Sequence, residues 1–184
     1  MRSADMVSLF RLVVLALVIY LVLVKYSATV VIPLIVFLFL LDWVDGYLAA
    51  QDEKAPPRYG AYLDIAIDRI IEYAFWLLFT LLSILPWFVI AIVFARNTVA
   101  DYLVTRKGMT FSSMKSGFGR IASSHIIRGA YAVLKAVNFA YLALIVVLGL
   151  PPSGWPILVA YGLTTVVVAF SLIRGAAEIH EALR

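Results

Sequence analysis

The chain has 184 residues, of which 64% are apolar and only 14% charged, with a formal charge of +4 and a mean hydropathy of +1.01. A soluble domain runs about 45–50% apolar and about 25% charged, so this composition excludes an ordinary soluble fold and points to an integral membrane protein. Cysteine is absent, which removes disulfides, zinc-thiolate sites and thiol nucleophiles.

The first apolar run, residues 7–24, is interrupted only by Arg11 and is longer than a signal-peptide core, so it reads as a retained signal anchor. A second helix is expected from Ala28 to about Ala50, with its carboxylates at one end. Residues 51–60 (QDEKAPPRYG) have the charges, Pro pair and Gly of a connection. A third helix is expected from about Ala61 to Leu85, carrying Asp64, Asp68, Arg69 and Glu72 in its first three turns. Pro86 and Trp87 open a fourth, reaching about Tyr102. Residues 105–120 form a basic, Gly- and Ser-containing connection, followed by a fifth helix from about Ile121 to Leu148. After GLPPSGWP comes a sixth, from about Ile157 to Ile173, with a polar tail.

Six spans of about 20 residues would use roughly 120 residues and leave roughly 64 for tails and connections. The chain 1–184 therefore reads as one all-α, six-helix transmembrane domain. Arg2, Lys54, Arg58, Arg106, Lys107, Lys115, Arg120, Arg174 and Arg184 fall on one side of such a layout, whereas the opposite connections carry only Lys25. Basic residues mark the cytoplasmic side, so both termini are expected in the cytoplasm, and Trp87 and Trp155 mark the other interface. The positive charge is explained by topology and lipid headgroups, and no nucleic-acid partner is expected.

Asp42 and Asp45 are spaced i, i+3, and Asp64 and Asp68 i, i+4, so each pair projects from one face of its own helix. Both pairs lie within about three turns of the connection that joins the two helices, at the cytoplasmic end. Four carboxylates in a partly dehydrated place require compensating cations, and hard oxygen donors point to Mg²⁺ or Mn²⁺. Solvated helix ends are the plainer alternative, weighed against the high cost of intramembrane acids. Gly46, Ala49 and Gly60 accompany the acids; they either admit another molecule close to the backbone or allow tight helix packing.

These residues resemble a family signature. Asp42-Trp-Val-Asp45-Gly46-Tyr-Leu-Ala49-Ala50, then Gly60-Ala-Tyr-Leu-Asp64-Ile-Ala-Ile-Asp68, is similar to the D-x2-D-G-x2-A-R-x8-G-x3-D-x3-D pattern of the CDP-alcohol phosphotransferases. Seven of its eight fixed positions match over 27 residues; Ala50 stands in place of the Arg, and the spacer to Gly60 is one residue longer. DWVDGYLA and RYGAYLD resemble the phosphatidylglycerophosphate synthase branch, while Arg69 after Asp68 resembles the inositol-phosphate branch.

The resemblance implies an enzyme of phospholipid synthesis in a prokaryotic cytoplasmic membrane, its site facing the cytoplasm. It would transfer a substituted phosphate from a CDP-linked lipid to a small polar alcohol, with release of CMP. It implies that Asp42, Asp45 and Asp64 hold one of two divalent ions on the diphosphate, and that Asp68 completes a second metal site or serves as the base. Gly46, Ala49, Gly60 and Asp64 would border the nucleotide. The family also implies a homodimer.

On the fifth helix, Arg120, Ser124, Arg128, Tyr131, Lys135 and Asn138 share one face, expected to look into the bundle. With Arg106, Lys107 and Lys115 they suit an acceptor bearing its own phosphate, such as glycerol 3-phosphate or inositol phosphate. Topology alone also accounts for the loop members. Glu72 is expected to pair with Arg69, and Arg96, Asn97 and Asp101 either line the cavity or form a local network. His125 and His180 are expected to be solvated. Two other classes compete: a cation or proton transporter using the Asp cluster, disfavoured by its position at one end and the lack of repeated halves, and an inactive scaffold, prompted by Ala50.

Overall fold

The computed structural model describes residues 3–51, 58–106 and 125–183, and these are all helical apart from short turns. Six helices follow one another: α1 (Ser3–Leu23), α2 (Ala28–Gln51), α3 (Arg58–Leu81), α4 (Trp87–Arg106), α5 (His125–Val147) and α6 (Trp155–Leu183). Their packing closes a ring in the order α1, α2, α5, α6, α4, α3 and back to α1, with α1 also touching α5 across it.

Three helix ends share one geometry. Tyr26 N–H reaches the Leu21 carbonyl and Lys25 N–H that of Val22; Ile84 and Ser83 do the same to Phe79 and Thr80, and Leu150 and Gly149 to Ile145 and Val146. This paired cap satisfies the last carbonyls and needs a left-handed residue just past the helix. Gly149 takes that conformation at no steric cost, but Lys25 (φ 51°) and Ser83 (φ 57°) also adopt it. The cap at Ser83 stops α3 at Leu81, four residues short of the expected Leu85. At its other end α3 begins at Arg58, three residues early.

The sixth helix departs most from expectation, because it continues ten residues beyond Ile173. Its polar tail is packed: Ala177 and Glu178 are buried, and Glu178 is paired with Arg174 one turn before it and with Arg96 on α4. Satisfied charges let the helix run on where hydropathy alone ends it.

The core is aromatic at its centre. Phe139 of α5 lies 4.8 Å from both Phe75 and Trp76 of α3, and 6.0 Å from Phe39 of α2. The outer surface is apolar too. Val13, Leu17 and Tyr20 on α1, Leu77 and Leu81 on α3, and Leu158, Val166 and Ile173 on α6 are all exposed. Conversely Arg11, Glu72, Asn97, Asn138 and Glu178 are buried. Large apolar side chains facing outward, with charge held inside, are what a lipid surround selects and water does not. Two described segments, Gly129–Val147 in α5 and Trp155–His180 in α6, are long and apolar enough to cross a bilayer, and shorter apolar stretches occupy Leu9–Leu23 and Ala28–Leu41.

Removal of the Phe139 ring would empty a fully enclosed site touched by three helices. Phe139→Ala is expected to cost about 3–5 kcal/mol, read as a lowered melting temperature of the detergent-solubilised protein. An unchanged melting curve would show that the aromatic centre does not hold the ring of helices together.

Candidate active site

The four motif carboxylates flank the α2–α3 connection. Positions 42 and 45 fall in the last three turns of α2, and positions 64 and 68 in the first three turns of α3. The helical backbone keeps the members of each pair one turn apart, as their spacing requires. The side chains of Asp42, Asp45, Gly46, Ala49, Ala50, Gly60, Asp64 and Arg128 lie outside the described residues, as do Lys54, Lys107, Lys115, Arg120 and Ser124 entirely.

Asp68 is described, and its partner was not foreseen. Arg11 of α1 donates from Nη2 to Asp68 Oδ1 at 2.6 Å. The guanidinium is almost wholly buried, whereas the Asp68 side chain keeps 41% of its exposure. The sequence shows Arg11 only as an interruption in an apolar run; its one available signal is that such a cation needs an acidic partner on a neighbouring helix.

One turn further along α3 lies a second, larger charged group. Arg69 grips Asp101 of α4 with two parallel bonds, Nε to Oδ2 and Nη2 to Oδ1, each 2.8 Å. Its expected partner Glu72 is a secondary contact at 3.4 Å. Glu72 Oε1 instead accepts from the Tyr131 hydroxyl at 3.2 Å, and Lys135 Nζ stands 3.5 Å from Oε2. Lys135 also lies over the Tyr131 ring, 4.7 Å from its centroid. The expected inward face of α5 is thus seen at Tyr131, Lys135 and Asn138, all buried or nearly so. Lys135, however, is tied to Glu72 as part of the wall.

The network extends to α6. Arg96 donates to Asn97 Oδ1 at 2.6 Å and to Glu178 Oε2 at 3.1 Å, and Arg174 contacts Glu178 Oε1 at 3.2 Å. Gly175 makes this approach possible, since a Cβ there would strike the Arg96 side chain. Arg96 and Asn97 are thus hydrogen-bonded in a group that reaches Glu178 of α6, while Asp101 is held by Arg69 of α3. His180 is exposed, as expected, and Arg106 is exposed at the end of α4. Among the described residues these ion pairs join four cations, Arg69, Arg96, Lys135 and Arg174, to three carboxylates, Glu72, Asp101 and Glu178.

An apolar groove of about 890 Å³ runs between α2 and α5. Gly129, Ala132, Ala136 and Ala140 supply its small-residue side, and Ile32, Val36 and Leu40 face them from α2. On α2 the groove follows the first half of the helix, from Ile32 to Leu40, and its last lining residue lies two positions before Asp42.

No three acidic or histidine side chains converge among the described residues, which include only Asp68 of the four motif acids. The donor set as a whole is carboxylate oxygen, which fits a hard divalent cation and not a soft one.

The description of the CDP-alcohol phosphatidyltransferase family matches residues 1–173, and the chain belongs to that family. It is also 30% identical over 95 residues to proteins named "Putative cardiolipin synthase" from Mycobacterium tuberculosis and Mycobacterium bovis. That match takes in 52% of this chain and spans about half the length of those relatives, 45%. Two of its helices are long and apolar enough to cross a bilayer, in keeping with membrane association.

Glu72 is the test of the buried network. Glu72→Gln should leave Lys135 and Arg69 without their shared counter-charge and destabilise the protein by about 3–5 kcal/mol. Adding Lys135→Met to that variant should return part of the loss, measured by thermal unfolding in detergent. A double variant no more stable than Glu72→Gln alone would show that the 3.5 Å pair carries no weight.

Proposed function

We propose that the chain is a multi-pass CDP-alcohol phosphotransferase that moves a phosphatidyl-type group from a CDP-linked lipid to an acceptor alcohol and releases CMP. The observation that carries this reading is the spacing of seven motif residues between Asp42 and Asp68 in a chain matched to the family over residues 1–173. The six helices are read as six spans with both termini in the cytoplasm, from the one-sided Lys and Arg distribution, and the site as facing the cytoplasm. A homodimer is proposed from the family alone.

In this reading Asp42, Asp45 and Asp64 hold one Mg²⁺ or Mn²⁺, and Asp68 borders a second. The ions supply charge neutralisation of the diphosphate and of the departing CMP. Gly46, Ala49 and Gly60 give the nucleotide room beside the backbone, with Asp64 at its edge. Asp68 takes the proton of the acceptor hydroxyl; the acceptor oxygen forms its bond to the lipid-side phosphorus while the bond from that phosphorus to the CMP oxygen breaks. The α2–α5 groove supports a lipid donor, because it offers hydrocarbon a place whose lining on α2 ends two positions before Asp42.

Arg106, Lys115, Arg120 and Arg128 are proposed to receive a phosphorylated acceptor, glycerol 3-phosphate or inositol phosphate. Lys135 contributes charge to that wall from its position on Glu72. The relatives' name adds a phospholipid acceptor to the candidates.

The test is CMP release by the full chain in lipid nanodiscs, given CDP-diacylglycerol or CDP-archaeol, Mg²⁺ or Mn²⁺, and in parallel glycerol 3-phosphate, inositol phosphate, inositol, serine or phosphatidylglycerol. Metal-dependent release with one acceptor is expected. Asp64→Asn should abolish both donor binding and turnover, while Asp68→Asn should spare donor binding and lose turnover; near-normal turnover of Asp68→Asn would remove it as the base. Arg128→Ala should raise the KM of a phosphorylated acceptor, and an unchanged KM would take Arg128 out of the acceptor site. Movement of a cation across sealed vesicles with no CMP release would favour the transporter.

A further inference from the structure

Arg11 is a buried cation in the apolar run of α1, and nothing in the motif calls for it. It sits eight residues into α1, about 12 Å along the axis, and Asp68 sits ten residues into α3, about 15 Å along. α1 and α3 pack against each other, which brings two charges 57 residues apart in sequence to 2.6 Å.

The pair is asymmetric. Arg11 is 2% exposed and is enclosed by the packing of its helix, so its guanidinium has little room to move. The Asp68 side chain, 41% exposed, is held from the Arg11 side while still open to an incoming molecule. An ion pair serving only to join two helices needs no open carboxylate. A buried, immobile guanidinium holding one oxygen of a carboxylate that must meet a substrate proton is instead an orienting device.

We infer that Arg11 is a positioning residue: it fixes the direction of the Asp68 carboxylate, so that Asp68 meets the acceptor hydroxyl in one orientation. This rests on the phosphotransferase reading, and it adds a residue of α1 to a carboxylate group otherwise drawn from α2 and α3. Misdirection of a catalytic group costs turnover, whereas donor binding, assigned to the other three carboxylates, should be little affected.

The experiment compares wild type, Arg11→Met, Arg11→Lys, Asp68→Asn and the Arg11→Met/Asp68→Asn double variant, all as full chains in nanodiscs. Arg11→Met is expected to lower kcat for CMP release by roughly 10- to 100-fold, with the donor KM changed less than about twofold, within ordinary variation for a contact not made to the donor. Arg11→Lys, which keeps the charge but replaces the planar guanidinium by a compact ammonium on a more flexible stem, should fall between. Because Arg11 acts through Asp68, the double variant should be no slower than Asp68→Asn alone. Unchanged kcat in Arg11→Met, or a double variant slowed by the product of the two single effects, would overturn the inference. Should Arg11→Met fail to fold, Arg11→Lys decides: a lowered kcat at constant donor KM supports positioning, and wild-type kinetics overturn it. Absence of CMP release from the wild type would overturn the phosphotransferase reading, and this role with it. Release by the wild type with indifferent Arg11 variants would overturn this role alone.

Discussion

Charge placed inside an apolar bundle has to be answered by charge, and this requirement organises the carboxylate end of the molecule. Glu72 is 2% exposed on a helix whose outer face is apolar, and three groups from two helices converge on it: Arg69, Tyr131 and Lys135. Arg69 carries the connection to Asp101 on α4, and Glu178 joins α4 to α6 through Arg96. Hydrophobic packing cannot fix the rotation of helices that are apolar on almost every face, since lipid satisfies an exposed Leu as well as a neighbour does. Directional pairs can. The ring α3–α4–α6–α5 is held in register by these contacts at one end and by the stacked aromatics around Phe139 further in.

The same requirement bears on the active site. The motif concentrates acids at the α2–α3 connection, and the described member of the set already has a cation against it, Arg11. The charged network one turn below Asp68 forms a stiff floor of fixed charges, which suits chemistry on a polyanionic substrate: groups oriented beforehand need not reorganise as charge moves. The α2–α5 groove, by contrast, is lined by hydrocarbon.

Much of this was legible in the sequence. Composition identifies the membrane class, and the start of α2, the start of α4 and the end of α5 follow from Pro, Gly and the limits of the apolar runs. The motif acids are readable because their spacings place each pair on one helical face. The left-handed caps at Lys25 and Ser83 were not readable as such, because neither residue type demands that conformation. The continuation of α6 through Glu178 was hidden for a related reason: hydropathy sees charges in the tail but not the Arg96 on another helix that neutralises one of them. Long-range pairing likewise concealed the roles of Arg11, 57 residues from Asp68, and of Arg69, which favours Asp101 at 32 residues over Glu72 at three. A single sequence displays neighbours along the helix; partners across helices emerge only from the packing.

In the proposed function the acids of α2 and α3 receive the diphosphate of a CDP-linked lipid whose chains lie along the α2–α5 groove. The most direct measurement is a crystal structure of the protein in a lipidic phase with CDP-diacylglycerol and Mg²⁺. The diphosphate is expected between the facing ends of α2 and α3, with Asp42, Asp45 and Asp64 around it and hydrocarbon density beginning beside Leu40 and Gly129. A diphosphate bound away from these carboxylates, or carboxylates turned toward lipid with the nucleotide elsewhere, would contradict it.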